Sequence, residues 1–355
     1  MIDVTGYTSG RIAIANLSAM IDALERRRSR GASFEELLVL SRLLFIRGDM
    51  LGRIHDHDGA ESAAREAIIL SRDDAAALFI RAQLNGRFHR FEEANEFLAR
   101  ARGAGYEREE IDREQAALLQ ATGKYAEALL IRERLAKVEP KIQTLGALAS
   151  LLAEMGSWSA AEACYTAALE VDCGVSPLPC AQLLFEWGVH AMRRGQLDQA
   201  ESRFAALALI LPAHVPGRGH RAEVALEHGR LDRALALITP LLEIADDPEY
   251  RAIFAQILAA RGEYRAATHE AERAATAYER LLARRPEAYA DHAAAFFIGL
   301  GNRPQRAIEL AAANWKSRDT PRARSLLCRA QRSALVRRPS AETAPEVRIS
   351  TRRIA

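Results

Sequence analysis

The chain has 355 residues, 49% of them hydrophobic and 27% charged, and carries a formal net charge of +2. So small an excess excludes a strong overall field for nucleic acid or anionic lipid, so any basic character has to be local. Aromatics make up 6% of the chain while alanine and arginine abound and β-branched residues are sparse, which favours closely packed helices over sheet.

In chain order, Ile12, Ile14, Leu17, Met20, Ile21 and Leu24 recur near helical spacing and predict a helix from Arg11 to about Arg28, stopped by Gly31. Its polar residues would cover one face, making it an N-terminal cap. Next comes a recurring turn, a small residue and then an aromatic or leucine ahead of an alanine. It reads Gly123-Lys124-Tyr125 before Ala128, Gly156-Ser157-Trp158 before Ala161, and Gly195-Gln196-Leu197 before Ala200. Gly229-Arg230-Leu231 before Ala234 and Gly262-Glu263-Tyr264 before Ala267 continue the series. Extending the register gives Ala60, Ala94, Ala128, Ala161, Ala200, Ala234, Ala267 and Ala307, at spacings by subtraction of 34, 34, 33, 39, 34, 33 and 40. Twelve residues before each stand Gly48, Ala82, Ala116, Ala149, Gly188, Ala222, Ala255 and Ala295. All are Ala or Gly, as expected where two antiparallel helices approach closely and neither has room for more than a methyl group.

This pattern resembles the tetratricopeptide repeat. In the fourth unit Leu148-Ala149, Trp158, Ala161, Tyr165 and Ala168 carry the likeness, and in the fifth Trp187-Gly188, Gly195, Ala200, Phe204 and Pro212. The resemblance covers about residues 41–320 and implies an all-α, right-handed superhelical solenoid of eight helix A–helix B units, with an N-terminal segment and capping helix over 1–40 and a C-terminal capping helix over 321–336. Such units cannot bury their apolar faces alone and are stable by stacking on one another. Units one, two and eight depart from the pattern, with His55 and His89 where the turn glycine belongs and Pro304 in place of the turn aromatic.

Two spacings are long. Asp172–Cys180 inserts a proline-bearing loop between units four and five. Between units seven and eight no breaker occurs from Tyr264 to Arg284, so helix B of unit seven is predicted to run about two turns longer than its siblings, to Arg285-Pro286. Gly217-Arg218-Gly219 reads as a flexible linker leading into unit six. Residues 337–355, rich in Arg, Pro, Ser and Thr without helical periodicity, read as a disordered basic tail.

Signatures of chemistry are sparse. His55-Asp56-His57-Asp58 combines two metal-ligating residue types, but four adjacent residues cannot all face one ion, and they are expected as solvated turn residues capping a helix. His190, His214, His220, His228 and His269 are scattered, and hydrolase elbows, P-loops and zincin motifs are absent. No enzyme, cofactor or metal is expected. Cys164, Cys173, Cys180 and Cys328 show no C-x-x-C or zinc spacing, although Cys173 and Cys180 flank one loop and could meet. Reduced thiols, the lack of an N-terminal signal pattern and the absence of ~18 consecutive apolar residues point to a soluble cytoplasmic protein with no membrane contact.

Function is then expected from the surface. The family's groove positions on helix A, carried onto this chain, are Phe45, Asp49, Phe79, Gln83, Arg113, Phe185, Val189, His220, Glu223, Gln256, Tyr289, His292 and Phe296. The mixture of both charge signs with aromatics suits a protein or peptide partner and argues against nucleic acid, whose groove would be consistently basic. Phe79 and Phe185 are the expected aromatic anchors. A carboxylate clamp of the kind some family members carry is not reproduced at Phe45, Asp49, Ile80 and Arg113. The reading is a non-catalytic protein- or peptide-binding scaffold or adaptor. Alternatives are a self-assembling homo-oligomer, or nucleic-acid association through the basic tail.

Overall fold

The computed structural model describes residues 6–172 and 174–336. The expected tail over 337–355 and any approach of Cys173 to Cys180 lie outside these residues. Among the described residues all regular structure is helical, and no helix is long and apolar enough to cross a membrane.

Helix α1 (Gly10–Arg28) precedes eight helix pairs. Unit one is α2 (Phe34–Leu51) with α3 (Ile54–Leu70), unit two α4 (Ala75–Arg87) with α5 (Phe91–Gly103), and unit three α6 (Arg108–Ala121) with α7 (Tyr125–Val138). Unit four is α8 (Ile142–Glu154) with α9 (Trp158–Glu170), and unit five α10 (Leu178–Arg193) with α11 (Leu197–Ile210). In unit six α12 (Val215–Glu227) faces α13 (Leu231–Ile238), which is cut short where Pro240 removes an amide donor and leaves a single further turn, α14 (Leu241–Ile244). Unit seven is α15 (Pro248–Ala260) with α16 (Tyr264–Arg284), unit eight α17 (Pro286–Ile298) with α18 (Pro304–Ser317), and α19 (Pro321–Val336) completes the described chain. The fold is an all-α repeat solenoid.

Local chemistry starts and stops these helices. Ser33 and Glu36 form a reciprocal capping box on α2, Asp74 accepts from the amides of Ala76 and Ala77, and Asp247 accepts from Glu249. The A–B turn needs one left-handed residue. Gly123, Gly156, Gly195, Gly229 and Gly262 supply it in units three to seven, and His89 holds that conformation, φ 57°, in unit two. In unit one the left-handed residue is Gly52, so His55 falls in the first turn of α3 rather than in the turn itself. Fifteen of the sixteen small positions are buried. The exception is Ala295, which is exposed while Ala293 and Ala294 are buried, because the α17–α18 turn is longer than its counterparts and shifts the register.

The 21-residue α16 bears out the long helix expected in unit seven. Gly217 and Gly219, however, are not linker residues. Both are buried inside α12, where a Cβ on Gly217 would overlap Leu207 and one on Gly219 would lie 2.8 Å from the Tyr250 ring. These glycines permit close packing.

The solenoid winds back on itself. The A–B edge of unit one meets the B–A edge ahead of unit seven, where Arg53 Nε donates to the Ile244 carbonyl at 3.1 Å and the Ile54 amide donates to Asp246. One unit on, His89 Nδ1 donates to the carbonyl of Glu287 in unit eight at 3.0 Å, and the next turn receives Arg318 Nε on the Ala121 carbonyl at 3.2 Å. Ahead of them all, Thr8 donates to the Val175 carbonyl and Gly10 abuts Ile210 and Leu211. Each contact joins positions about six units apart, so successive superhelical turns touch along a seam. Met50, Leu51, Phe88 and Tyr250 are buried there, which adds apolar burial to the hydrogen bonds.

Candidate functional site

The A helices carry the expected groove positions, and the structure divides them in two. Phe45, Asp49, Gln83, Arg113, Phe185, His220, Glu223, Gln256 and His292 are partly accessible, whereas Phe79, Val189, Tyr289 and Phe296 are buried. Phe79 stacks on Tyr106 with ring centroids 4.3 Å apart, and Phe296 packs between Tyr278 and Phe297 at 5.3 and 5.2 Å. Tyr289 and Val189 belong to the inter-helix core. Phe185 is half-covered by His214 and His220, and Phe45 meets the His57 ring edge-on. These aromatics therefore bind neighbouring helices, and the accessible inner face is mostly polar.

Its polar groups form networks that cross units. His57 Nε2 donates to Asp49 at 3.0 Å, and Arg87 Nε of unit two reaches the same carboxylate at 3.2 Å. In unit six His220 Nδ1 bonds Glu223 at 2.6 Å. Farther along, His292 lies 3.5 Å from Glu249 and 3.9 Å from Asp291, which Arg318 approaches at 3.4 Å. Asp291, and after it Glu249, outweigh burial and hold His292 protonated, with its pKa raised to about 9. Burial would raise the Asp291 pKa, but His292, Arg322, His89 and Arg318 together keep it below the ordinary carboxylate range. His89 is pushed the other way, to about 4, by burial and then by Arg318.

The His55–Asp58 cluster is taken apart by the helix. His55 turns to Asp246 at 2.8 Å, and Asp56 is buried in a two-pronged pair with Arg47 at 2.8 and 2.7 Å. His57 turns inward to Asp49, and Asp58 pairs with Arg284 and Arg285 of unit seven. They are not solvated turn residues, since four successive helical positions point in different directions and each meets a different partner. Among the described residues no three His, Cys, Asp or Glu side chains are placed to hold an ion. Glu61 sits beside this cluster, 5% exposed, accepting from Arg90 and Arg285 at 2.6 Å each. Although burial opposes it, this double pairing brings the Glu61 pKa down to about 2. Sequence reasoning missed Glu61, Asp246, Arg285 and Arg318 because their roles depend on contacts some 190 to 230 residues apart. The length of α16, which carries Arg284 to unit one, was the one available signal.

Residues 191–257, from the end of α10 into α15, match the tetratricopeptide repeat family. No curated protein matches the sequence. Similar solved structures include a tetratricopeptide repeat protein from Parabacteroides merdae ATCC 43184, 19% identical with a TM-score of 0.44, covering 79% of this chain and 98% of that one. The APC/C hetero-tetramer Cut9–Hcn1 is 15% identical with a TM-score of 0.49, over 83% of this chain and 55% of the other. Yeast Tom70 is 14% identical with a TM-score of 0.48, over 87% and 65%. The chain thus spans less than two thirds of the latter two. The matched segment is one stretch of the helix pair that recurs from α2 to α18, and within that segment the chain carries the tetratricopeptide repeat.

Proposed function

We propose that this protein is a non-catalytic scaffold or adaptor that binds a protein or peptide along the inner face of its solenoid. One observation carries the reading: Asp49, Gln83, Arg113, Glu223, Gln256 and His292, from units one, two, three, six, seven and eight, all present partly accessible polar groups on helix A. With Phe79, Tyr289 and Phe296 buried, recognition rests on charge and hydrogen bonding of both signs rather than on aromatic anchors. The partner it fits is a polar segment of mixed charge, met by a preorganised surface that loses little entropy on binding. We place the protein in the cytoplasm, where free thiols such as Cys164, Cys180 and Cys328 persist.

The test is capture of partners from native lysate, followed by calorimetry with the captured protein. Glu223→Lys reverses an inner-face charge and is expected to weaken binding roughly tenfold or more, in the range of a disrupted charged contact. Unchanged affinity in Glu223→Lys and in Gln83→Lys would remove the inner face from the mechanism.

A further inference from the structure

The seam joins one strip of the solenoid, the A–B edge of its early units, to another strip, the B–A edge of its late ones. Both strips continue past the seam. On the A–B edge, a Cβ on Gly52 would lie 2.8 Å from Tyr250 and one on Gly123 would overlap the Asp319 backbone. At Gly156, Gly195, Gly229 and Gly262, in units four to seven, nothing lies within 4 Å. Apolar side chains show the same division. Met50, Leu51 and Phe88 on the early A–B edge are buried, whereas Met155, Tyr264 and Leu300 on the later stretch are exposed. Ile210 and Leu211, on the covered part of the B–A edge, are buried, while Leu70 and Val138, which take the place of Ile210 in units one and three, are 59% and 72% exposed.

We infer that this protein associates head to tail with a second copy of itself, the bare A–B edge of units four to eight packing on the bare B–A edge of the first units of the next molecule. The occupant is identified by continuity. The molecule already packs A–B edge on B–A edge at several successive positions, and each bare strip extends one side of that contact. A second copy brings the missing complement with the same repeat spacing. Because two different surfaces meet, the contact is heterologous and does not close on itself in a dimer, so growth continues to a ring or a filament. Apolar side chains leaving water at these edges supply the drive. Such association is independent of what the inner face binds.

Sedimentation velocity of the full chain from low micromolar to submillimolar concentration tests it, with Tyr264→Glu on one edge and Val138→Glu on the other. Both side chains are mostly exposed, 57% and 72%, so circular dichroism melts should match the parent. Leu300→Glu and Leu70→Glu form a second pair on the same edges should either variant lose folding. The expected result is a parent mass that rises with concentration past a dimer, two variants that stay monomeric, and an equimolar mixture of the variants that stops at a heterodimer through its one intact pair of edges. A parent that stays monomeric throughout overturns the inference. So does association that survives both substitutions or is lost in only one, or a mixture that fails to pair.

Discussion

Two alanine substitutions separate the seam from the ordinary repeat turn. Gly123 and Gly156 occupy the same place in successive units, with φ of 86° and 82°. Placing an L side chain in the left-handed region costs about 1–2 kcal/mol at either site. Around Gly156 there is open space, and that penalty is the whole effect. At Gly123 the new methyl group would run into the Asp319 carbonyl, which is backbone and cannot rotate away. Separating the two edges adds overpacking strain of about 1–3 kcal/mol. Weakening the nearby Arg318–Ala121 bond adds about 1 kcal/mol. Gly123→Ala is therefore expected to destabilise by roughly 3–6 kcal/mol against roughly 1–2 for Gly156→Ala. Urea titrations monitored by circular dichroism measure both, and a broadened or two-step transition in Gly123→Ala would report the seam opening ahead of the rest. Equal losses in the two variants would refute the view that superhelical turns are in contact.

Glu61→Gln should cost about 1–3 kcal/mol at neutral pH, since it leaves Arg90 and Arg285 short of a buried charged acceptor. The pH dependence has a definite sign. With its pKa depressed to about 2, Glu61 contributes fully above the ordinary carboxylate value, and its contribution is lost as pH falls from there toward 2. The acid limb of the parent's stability profile should accordingly be steeper than that of Glu61→Gln, and identical limbs would count against the pairing. Phe79→Ala should act on stability, by about 3–5 kcal/mol as for other buried aromatics. Partner affinity, measured at a temperature where the variant stays folded, should hold; a selective loss of affinity would restore Phe79 as an anchor.

Much of the architecture is legible in the sequence because it is local and repeated. The small-residue pairs from Gly48 and Ala60 onward mark where helices touch within a unit, and the absence of breakers from Tyr264 to Arg284 gives the length of α16. Register is legible only where the turn length is constant. Unit one hides its turn glycine at Gly52, and unit eight moves its contact from Ala295 to its neighbours. The candidate site is half legible. A position on helix A indicates which face of the unit a side chain occupies, but not whether a neighbouring helix covers it, and so Phe79, Tyr289 and Phe296 read as accessible in the sequence and are buried in the fold.

Sequence alone determines the repeat unit, its number of copies and the helical pairing inside each copy, since these depend on contacts between residues about twelve apart and on turn chemistry three or four residues long. Tertiary structure alone decides how the units wind. Small rotations between neighbours accumulate over some six units until Arg53 reaches Ile244, His89 reaches Glu287 and Arg318 reaches Ala121. Pitch is a sum over many interfaces, to which each residue contributes little, so no local motif records it. That sum brings His55 and Asp58 into a seam with Asp246, Arg284 and Arg285, and it leaves the two opposite edges bare.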